Sequence, residues 1–478
     1  MTQSRSRWNL SRRQLLSGVA AGAVANFMPS LTAPALAGTP DYTLKTKLSS
    51  VQLLDPGEPK TDVWSYQGLS PGPILRAKQG EPFWVKLQNE LSEPTTIHWH
   101  GIRIDNAMDG VPDLTQAAVP PGGTFDYRYT PKDAGTYWYH SHYRGYEQVA
   151  RGLNGVLIVE EREPPMVDQD IVLAFDDWRL KDSGEIHDES FGSLMDRSHA
   201  GRLGNILTLN GAPLFDVPVR SGERVRLRLA NVATARVFNI SFPGHAPKII
   251  ALDGQPVAPF DAGKEDLLLG PGQRIDVIMD MISAPGQKTP IQVDTGRETL
   301  IAGHIVYKAG APPKQQVRKS FDGLPANPLP ENVNLSQALD VDIVMTGGAM
   351  SSFEQAVYRG KNFPARQLAR EHGQVWALNG VAGMPKAPLF SAARGRVVRI
   401  KMSNKTRWPH AMHFHGHHVR EVARSQGTVR PHWRDTVHME PDEDITVAFI
   451  ADNPGKWLIH CHMLAHQLGG MITWFEVG

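Results

Sequence analysis

The sequence predicts an all-β protein built from three β-sandwich domains in tandem, on the strength of its length, its turn-rich composition and a segment that recurs three times. At 478 residues the chain is longer than one ordinary core supports, so several domains are expected. Its 44 glycines and 36 prolines make up about one residue in six, against about one in eight on average. That excess suits short strands joined by many turns. With 41% apolar and 21% charged residues the composition is that of a globular chain.

The recurring segment supports the repeat most directly. Gly80-Glu81-Pro82-Phe83-Trp84-Val85-Lys86-Leu87, Gly222-Glu223-Arg224-Val225-Arg226-Leu227-Arg228-Leu229 and Gly395-Arg396-Val397-Val398-Arg399-Ile400-Lys401-Met402 share one pattern, and each is followed by an asparagine nine residues after its glycine: Asn89, Asn231 and Asn404. Their alternation of apolar and polar residues, clearest over 224–229, predicts half-buried strands. A second shared signal is a turn before another alternating run, at Pro121-Gly122-Gly123, Pro271-Gly272-Gln273 and Pro441-Asp442-Glu443. Three copies of one sandwich unit follow. Composition shifts at Pro164-Pro165 and along a Pro-rich connector place the domains at 38–162, 163–310 and 335–478, with 311–334 as linker.

Residues 1–37 hold Arg5, Arg7, Arg12 and Arg13, no acid, an apolar stretch over 15–31 and the small-residue pattern Ala35-Leu36-Ala37. This is the pattern of a cleaved secretory signal. Ser11-Arg12-Arg13-Gln14-Leu15-Leu16 resembles the twin-arginine export signal, which implies the twin-arginine export machinery as a partner and a periplasmic protein. Removing the signal would take a net charge of +1 to −3. No later stretch is apolar enough to span a membrane. The even balance of 50 basic and 49 acidic residues argues against nucleic acid as a partner.

The histidines carry the chemistry. Random placement of 19 histidines would give roughly 0.75 His-x-His pairs, whereas the chain has His98/His100, His140/His142, His413/His415, His415/His417 and His460/His462. His98 and His413 each stand 18 residues after their repeat glycine, where the middle repeat has Ile240 and then Phe242; His140 and His460 each stand five after Gly135 and Gly455. Residues two apart on a strand share a face, so four pairs aim eight imidazoles into one space from the first and third domains. Imidazole suits copper, zinc, iron and nickel. Cys461, the only cysteine, separates copper from zinc. Between His460 and His462 its sulfur points to the opposite face and serves a different centre. With His410 upstream, His466 and Met471 it makes the donor set of a blue-copper electron-transfer site, covalently joined through the backbone to the two flanking imidazoles.

Together, His98-Trp99-His100-Gly101, His140-Ser141-His142, His410-Ala411-Met412-His413-Phe414-His415-Gly416-His417 and His460-Cys461-His462-Met463-Leu464-Ala465-His466 with Met471 resemble the four copper motifs of the multicopper oxidases, a family that includes laccases and bacterial cuprous oxidases. The resemblance spans the mature chain and implies three cupredoxin-like Greek-key sandwiches and four coppers. It implies a type 1 copper on His410, Cys461 and His466 with Met471 axial, and a type 2 copper on His98 and His413. It further implies a type 3 pair, one copper on His100, His140 and His462 and the other on His142, His415 and His460. His417, His418, His432 and His438 match no ligand position and read as supporting or surface residues. Ser141, Tyr146 and Arg151 stand in domain one where Cys461, His466 and Met471 stand in domain three, so no blue copper is expected there.

The implied reaction joins one-electron oxidation of a small reducing substrate to reduction of dioxygen to water, which consumes protons. Asp109, eleven residues after His98, matches the family's acid near the type 2 copper. Gln467 stands where many bacterial relatives carry a second acid. A phenol or aromatic amine is the expected substrate. The alternative is a metal ion, Cu(I) above all. Cu(I)-oxidising relatives often carry a Met-rich insertion, since thioethers bind Cu(I), whereas here Met345 and Met350 are the only methionines between Asn332 and Met384. A copper-free structural role is disfavoured by the full ligand set.

Overall fold

The computed structural model describes residues 38–263, 267–311, 314, 320–351 and 353–478. The export signal read from residues 1–37 lies outside them. The three recurring segments form strands Phe83–Asn89, Arg224–Asn231 and Arg396–Asn404. Each runs parallel to the strand that opens its sandwich, Tyr42–Val51, Gln169–Trp178 or Leu339–Gly347. Each also runs antiparallel to the strand after the second shared turn, Thr124–Tyr129, Arg274–Asp280 or Asp444–Ala451. The two sequence signals are thus neighbours in one sheet, three times over. Among the described residues no helix is long and apolar enough to cross a membrane.

The recurring asparagines explain themselves at the end of these strands. All three are buried, and each makes the same three bonds. Asn89 accepts from Leu91 N–H and donates to the carbonyls of Glu93 and Val119. Asn231 accepts from Ala233 and donates to Arg236 and Leu269. Asn404 accepts from Thr406 and donates to Trp408 and Glu440. A single amide therefore satisfies three buried main-chain groups where the strand gives way to a loop. Asn231→Leu, close in shape, leaves those groups orphaned, and each costs roughly 1–3 kcal/mol. The expected result is a clear fall in the denaturant midpoint of unfolding; an unchanged midpoint would show that other partners or water take over.

One expectation is corrected. The strand Arg224–Asn231 is not half-buried: Arg226 and Arg228 are 0% and 1% exposed. Both faces are covered because the arginines pair with Asp276, Glu161 and Asp170, and Arg228 also donates to Thr136 of the first sandwich. The polar half of the alternation reads a neighbouring domain, not solvent.

The opposite sheet of each terminal sandwich carries the histidines. In the first, His98–His100 pairs with Gly135–His140; in the third, His410–Phe414 pairs with Gly455–Cys461. These sandwiches share one continuous apolar core, from Leu44 and Trp99 to Trp457 and Phe475, so the two histidine sheets face a common space. The middle sandwich has its own core, with Ile240 and Phe242 buried in it. From it the segment around helix Leu194–Ser198 reaches the third sandwich, where Ala349 N–H donates to the Ser198 carbonyl over 2.6 Å.

Candidate metal centre

Strand register brings the histidines together. His98 lies opposite His140, and His413 opposite His460; directly opposed residues share a face. The period of two adds His100, His415 and His462 to those faces, and His142 follows at the strand end. Cys461 lies opposite Met412, on the other face, as its place between two histidines predicts. All these side chains are buried except that of His142, which is partly exposed.

The imidazoles are held with bare nitrogens facing one another. His98, His140, His413 and His460 each turn Nδ1 to a backbone carbonyl, of Asp109, Ser141, Asp435 and Cys461, at 2.8–3.0 Å. His415 turns Nδ1 to the Asp109 carboxylate at 2.9 Å. A carbonyl or carboxylate only accepts, so Nδ1 carries the proton and Nε2 is a lone pair. Yet His98 and His413 bring their Nε2 atoms to 3.4 Å, and His415 and His460 to 3.1 Å. His140 and His462 stand at 3.4 Å, His142 and His460 at 3.5 Å. His100 commits Nε2 to Asp435 and Thr436, which leaves Nδ1 buried without a partner. Facing lone pairs repel unless a cation lies between them, and nitrogens sharing one ion at about 2.0 Å in a tetrahedral arrangement sit about 3.3 Å apart. The residues fit metal ions.

The second centre is built the same way. His466 Nε2 donates to the His199 carbonyl at 2.6 Å. His410 Nε2 donates to Thr406, whose hydroxyl in turn donates to the repeat residue Asn404. Both Nδ1 atoms are therefore bare, 3.1 Å apart, and 3.7–3.8 Å from Cys461 Sγ. Burial pushes the Cys461 thiol up to about 12, so a thiolate here needs an adjacent cation. Met471 is buried in the same loop, its carbonyl accepting from Cys461 N–H and its N–H donating to His466. Two imidazoles and a thiolate, with a methionine in the same loop, suit copper.

Of the predicted groupings, His142, His415 and His460 come together, as do His410, Cys461 and His466. His98 meets His413 with His415, and also His100 with His140. Asp109 is fully buried: its carboxylate accepts from His415 Nδ1 at 2.9 Å while its carbonyl accepts from His98 Nδ1 at 2.8 Å. Among the histidines set aside, His417 and His418 are buried. His417 is surrounded by Phe449, Trp457 and Phe475, and burial lowers it to about 3.

Sequence reasoning missed Asp435 and Arg274. Asp435 accepts from both terminal nitrogens of the Arg274 guanidinium at 2.6–2.9 Å and from the His100 Nε2–H at 3.0 Å, while its carbonyl holds His413. Burial pushes its carboxyl up, but Arg274 and His100 outweigh that and hold it well below the usual carboxylate range. Arg274 comes from the middle sandwich and also donates to the carbonyls of Gly272 and Thr136. The sandwich without ligands thus orients ligands of both neighbours. The only sequence signal was a lone arginine opening the apolar strand Arg274–Asp280.

Burial, reinforced in most cases by neighbouring imidazoles, lowers His100, His140, His142, His410, His413, His415, His460, His462 and His466, the last to about 4. These groups are neutral and ready to bind metal at pH 7. Since the unfolded chain takes up their protons near pH 6.5, where the folded chain does not, the stability they confer is present above about pH 6.5 and lost as pH falls below it. The metal-free protein should lose thermal stability steadily from pH 7 toward pH 4, and the metal-loaded protein much less. Parallel slopes for the two forms would contradict neutral ligands.

Comparison with known proteins agrees with this geometry. Family models described as multicopper oxidase match residues 47–164, 169–309 and 358–478. The crystal structure of Lac15 from a marine microbial metagenome is 37% identical, with a TM-score of 0.72 over 91% of this chain and 100% of that one. A multi-copper oxidase from Pseudomonas thermotolerans is 30% identical, with a TM-score of 0.79 over 92% and 100%. Multicopper oxidase MmcO of Mycobacterium tuberculosis is 29% identical over 88% of this chain and 84% of its own. Further relatives carry the names of laccases, iron transport oxidases and a copper resistance protein homologue.

Proposed function

This chain belongs to the multicopper oxidase family, copper-dependent oxidoreductases that use dioxygen, and from that premise we propose that it acts as a laccase-like oxidase of phenols or aromatic amines. The reading rests on one observation above the others: Cys461 faces one centre while His460 and His462, its neighbours in the chain, face the other. An electron accepted on the cysteine side therefore has a short covalent route to the eight-imidazole pocket. Copper supplies the one-electron couple and the site of dioxygen reduction; the protein supplies the wiring, the protons and the seat for the reductant.

In this reading His410, Cys461, His466 and Met471 would hold the type 1 copper, and His98 and His413 the type 2 copper. His100, His140 and His462 hold one type 3 copper, and His142, His415 and His460 the other. The domain limits 38–162, 163–310 and 335–478, and export to the periplasm by the twin-arginine route, belong to the same proposal. Asp109 is its proton-handling acid. Asp109→Asn keeps an acceptor for His415 but cannot give up a proton, so reoxidation of the reduced enzyme by dioxygen should slow by about 10²- to 10⁴-fold, while anaerobic reduction by substrate stays near wild type. Equal slowing of both steps would make Asp109 a support for the two imidazoles alone.

A metal-ion substrate is the second reading. Met195 and Met350, 65% and 84% exposed, lie on the two segments that meet above the cysteine centre, and thioethers bind Cu(I). Met345 is fully buried and adds no exposed thioether there. Oxygen uptake by the copper-loaded chain across phenols, aromatic amines and Cu(I) decides between them. Uptake driven by Cu(I) and by neither organic class would overturn the laccase-like reading.

A further inference from the structure

Each of the four His-x-His pairs that aim into the pocket has a middle residue: Trp99, Ser141, Phe414 and Cys461. On a strand the middle side chain leaves by the opposite face. A hydroxyl and a benzene ring hold their electrons too tightly to serve as one-electron donors; an indole and a thiolate do not. Trp99 thus has the same covalent attachment to two pocket imidazoles, those of His98 and His100, that Cys461 has to His460 and His462. What faces Trp99 is not a metal-ligating set but a group of rings.

The Trp99 indole is fully buried and packs among Tyr129, Tyr127 and Tyr139 at ring separations of 5.3, 5.5 and 5.9 Å, within the about 4.5–7 Å of direct ring contact. Its Nε1–H has no acceptor among the described residues, so an indole that gives up an electron there keeps its proton and is refilled by a neighbour. The three buried tyrosines are poor places for the charge to rest. A phenol that loses an electron must also shed its proton, and burial pushes all three phenols up, against that loss. The Tyr129 hydroxyl has no partner among the described residues, and that of Tyr139 is committed to the Pro73 carbonyl at 2.7 Å. One ring leads outward. Phe83 lies 6.3 Å from Trp99 and 5.9 Å from Tyr42, which is only partly buried. The Tyr42 hydroxyl accepts from Arg76 N–H at 3.2 Å at the surface, so its own proton is free to leave to water.

We propose that Trp99 and Tyr42 form a second electron donor to the imidazole pocket, one that completes the reduction of dioxygen when the cysteine centre has not been refilled. The inference rests on the reading of that pocket as the site of dioxygen reduction and adds to it a route that does not pass through Cys461. In ordinary turnover three electrons stored in the pocket and a fourth from the cysteine centre reduce dioxygen. With the cysteine centre empty, the fourth leaves the Trp99 indole along the backbone of His98 or His100. Tyr42 returns an electron to the indole across the Phe83 ring, releases its hydroxyl proton to water and is left as a neutral phenoxyl radical. Dioxygen, having taken four electrons and four protons, leaves as two waters. The enzyme's reducing substrate then restores Tyr42 with one electron, and water returns the proton. The oxidising charge ends on a surface ring and not on the ligands.

The test uses the whole copper-loaded chain carrying Cys461→Ser, in which the cysteine centre cannot supply the fourth electron. The pocket is reduced chemically, freed of reductant and mixed with dioxygen, and the sample is frozen for electron paramagnetic resonance. The expected result is an organic radical, approaching one for each dioxygen consumed, whose spectrum narrows when the tyrosines are ring-deuterated. Adding Tyr42→Phe should move the radical to the indole, read as narrowing by ring-deuterated tryptophan in place of tyrosine. Adding Trp99→Phe, with copper content checked by metal analysis, should remove the radical. Tyr42 stands at the surface, with Phe83 and Trp99 between it and the ligands, so its variant tests the route without touching the histidine strand. A radical that persists unchanged in both double variants, or reoxidation with no radical at all, would overturn the proposal. Failure of the reduced pocket to reoxidise in dioxygen would instead remove the reading on which it rests.

Discussion

Replacing Cys461 by serine should abolish the blue colour and nearly all turnover while leaving the fold in place. Serine matches the volume of the thiol, and the site lies in a fully buried core position flanked by Met412 and Phe414 on the neighbouring strand. It cannot supply the soft, covalent metal–sulfur bond that a blue site requires. The two histidines on either side keep their strand positions, so the eight-imidazole pocket should still fill. The expected product is a colourless protein with wild-type circular dichroism and reduced copper content. Reoxidation of its chemically reduced pocket by dioxygen should persist, although substrate no longer drives it. Retention of full colour would refute the assignment of Cys461.

Arg274→Met should be the most destabilising single change near the metal sites. Arg274 and Asp435 are both fully buried and bonded through two oxygens. Removing one partner of such a pair leaves a bare charge in the interior at a cost of about 3–5 kcal/mol. Asp435 would then draw a proton or distort, and it is the group that fixes the His100 Nε2. A lower melting temperature together with loss of copper from the imidazole pocket is expected, with the blue band less affected. An unchanged melting temperature would mean that His418, 3.6 Å from Asp435, compensates the carboxylate unaided.

The parts of the fold and site that were legible in the sequence are those with local periodicity. The recurring strand and turn signals pair with each other in all three sandwiches, and the buried asparagines at +9 repeat down to their hydrogen bonds. His-x-His on strands predicted shared faces, and the single Cys461 predicted a second face. What stayed hidden depends on contacts between distant segments. Arg226 and Arg228 look like solvent-facing positions until the first sandwich covers them. Asp435 and Arg274 are 161 residues apart and carry no motif. His199 acts through a main-chain carbonyl, which any residue could supply. Tyr42 looked like one of 10 tyrosines, and only its packing against Phe83 at the edge of the aromatic core distinguishes it.

The central claim is that single electrons gathered at the cysteine centre are delivered together to dioxygen. Its most direct test is the ratio of substrate oxidised to dioxygen consumed in steady state, with hydrogen peroxide measured in the same sample. A cysteine centre wired to an eight-imidazole pocket predicts four one-electron oxidations for each dioxygen and no peroxide. Two oxidations per dioxygen, with one peroxide formed each time, would contradict it.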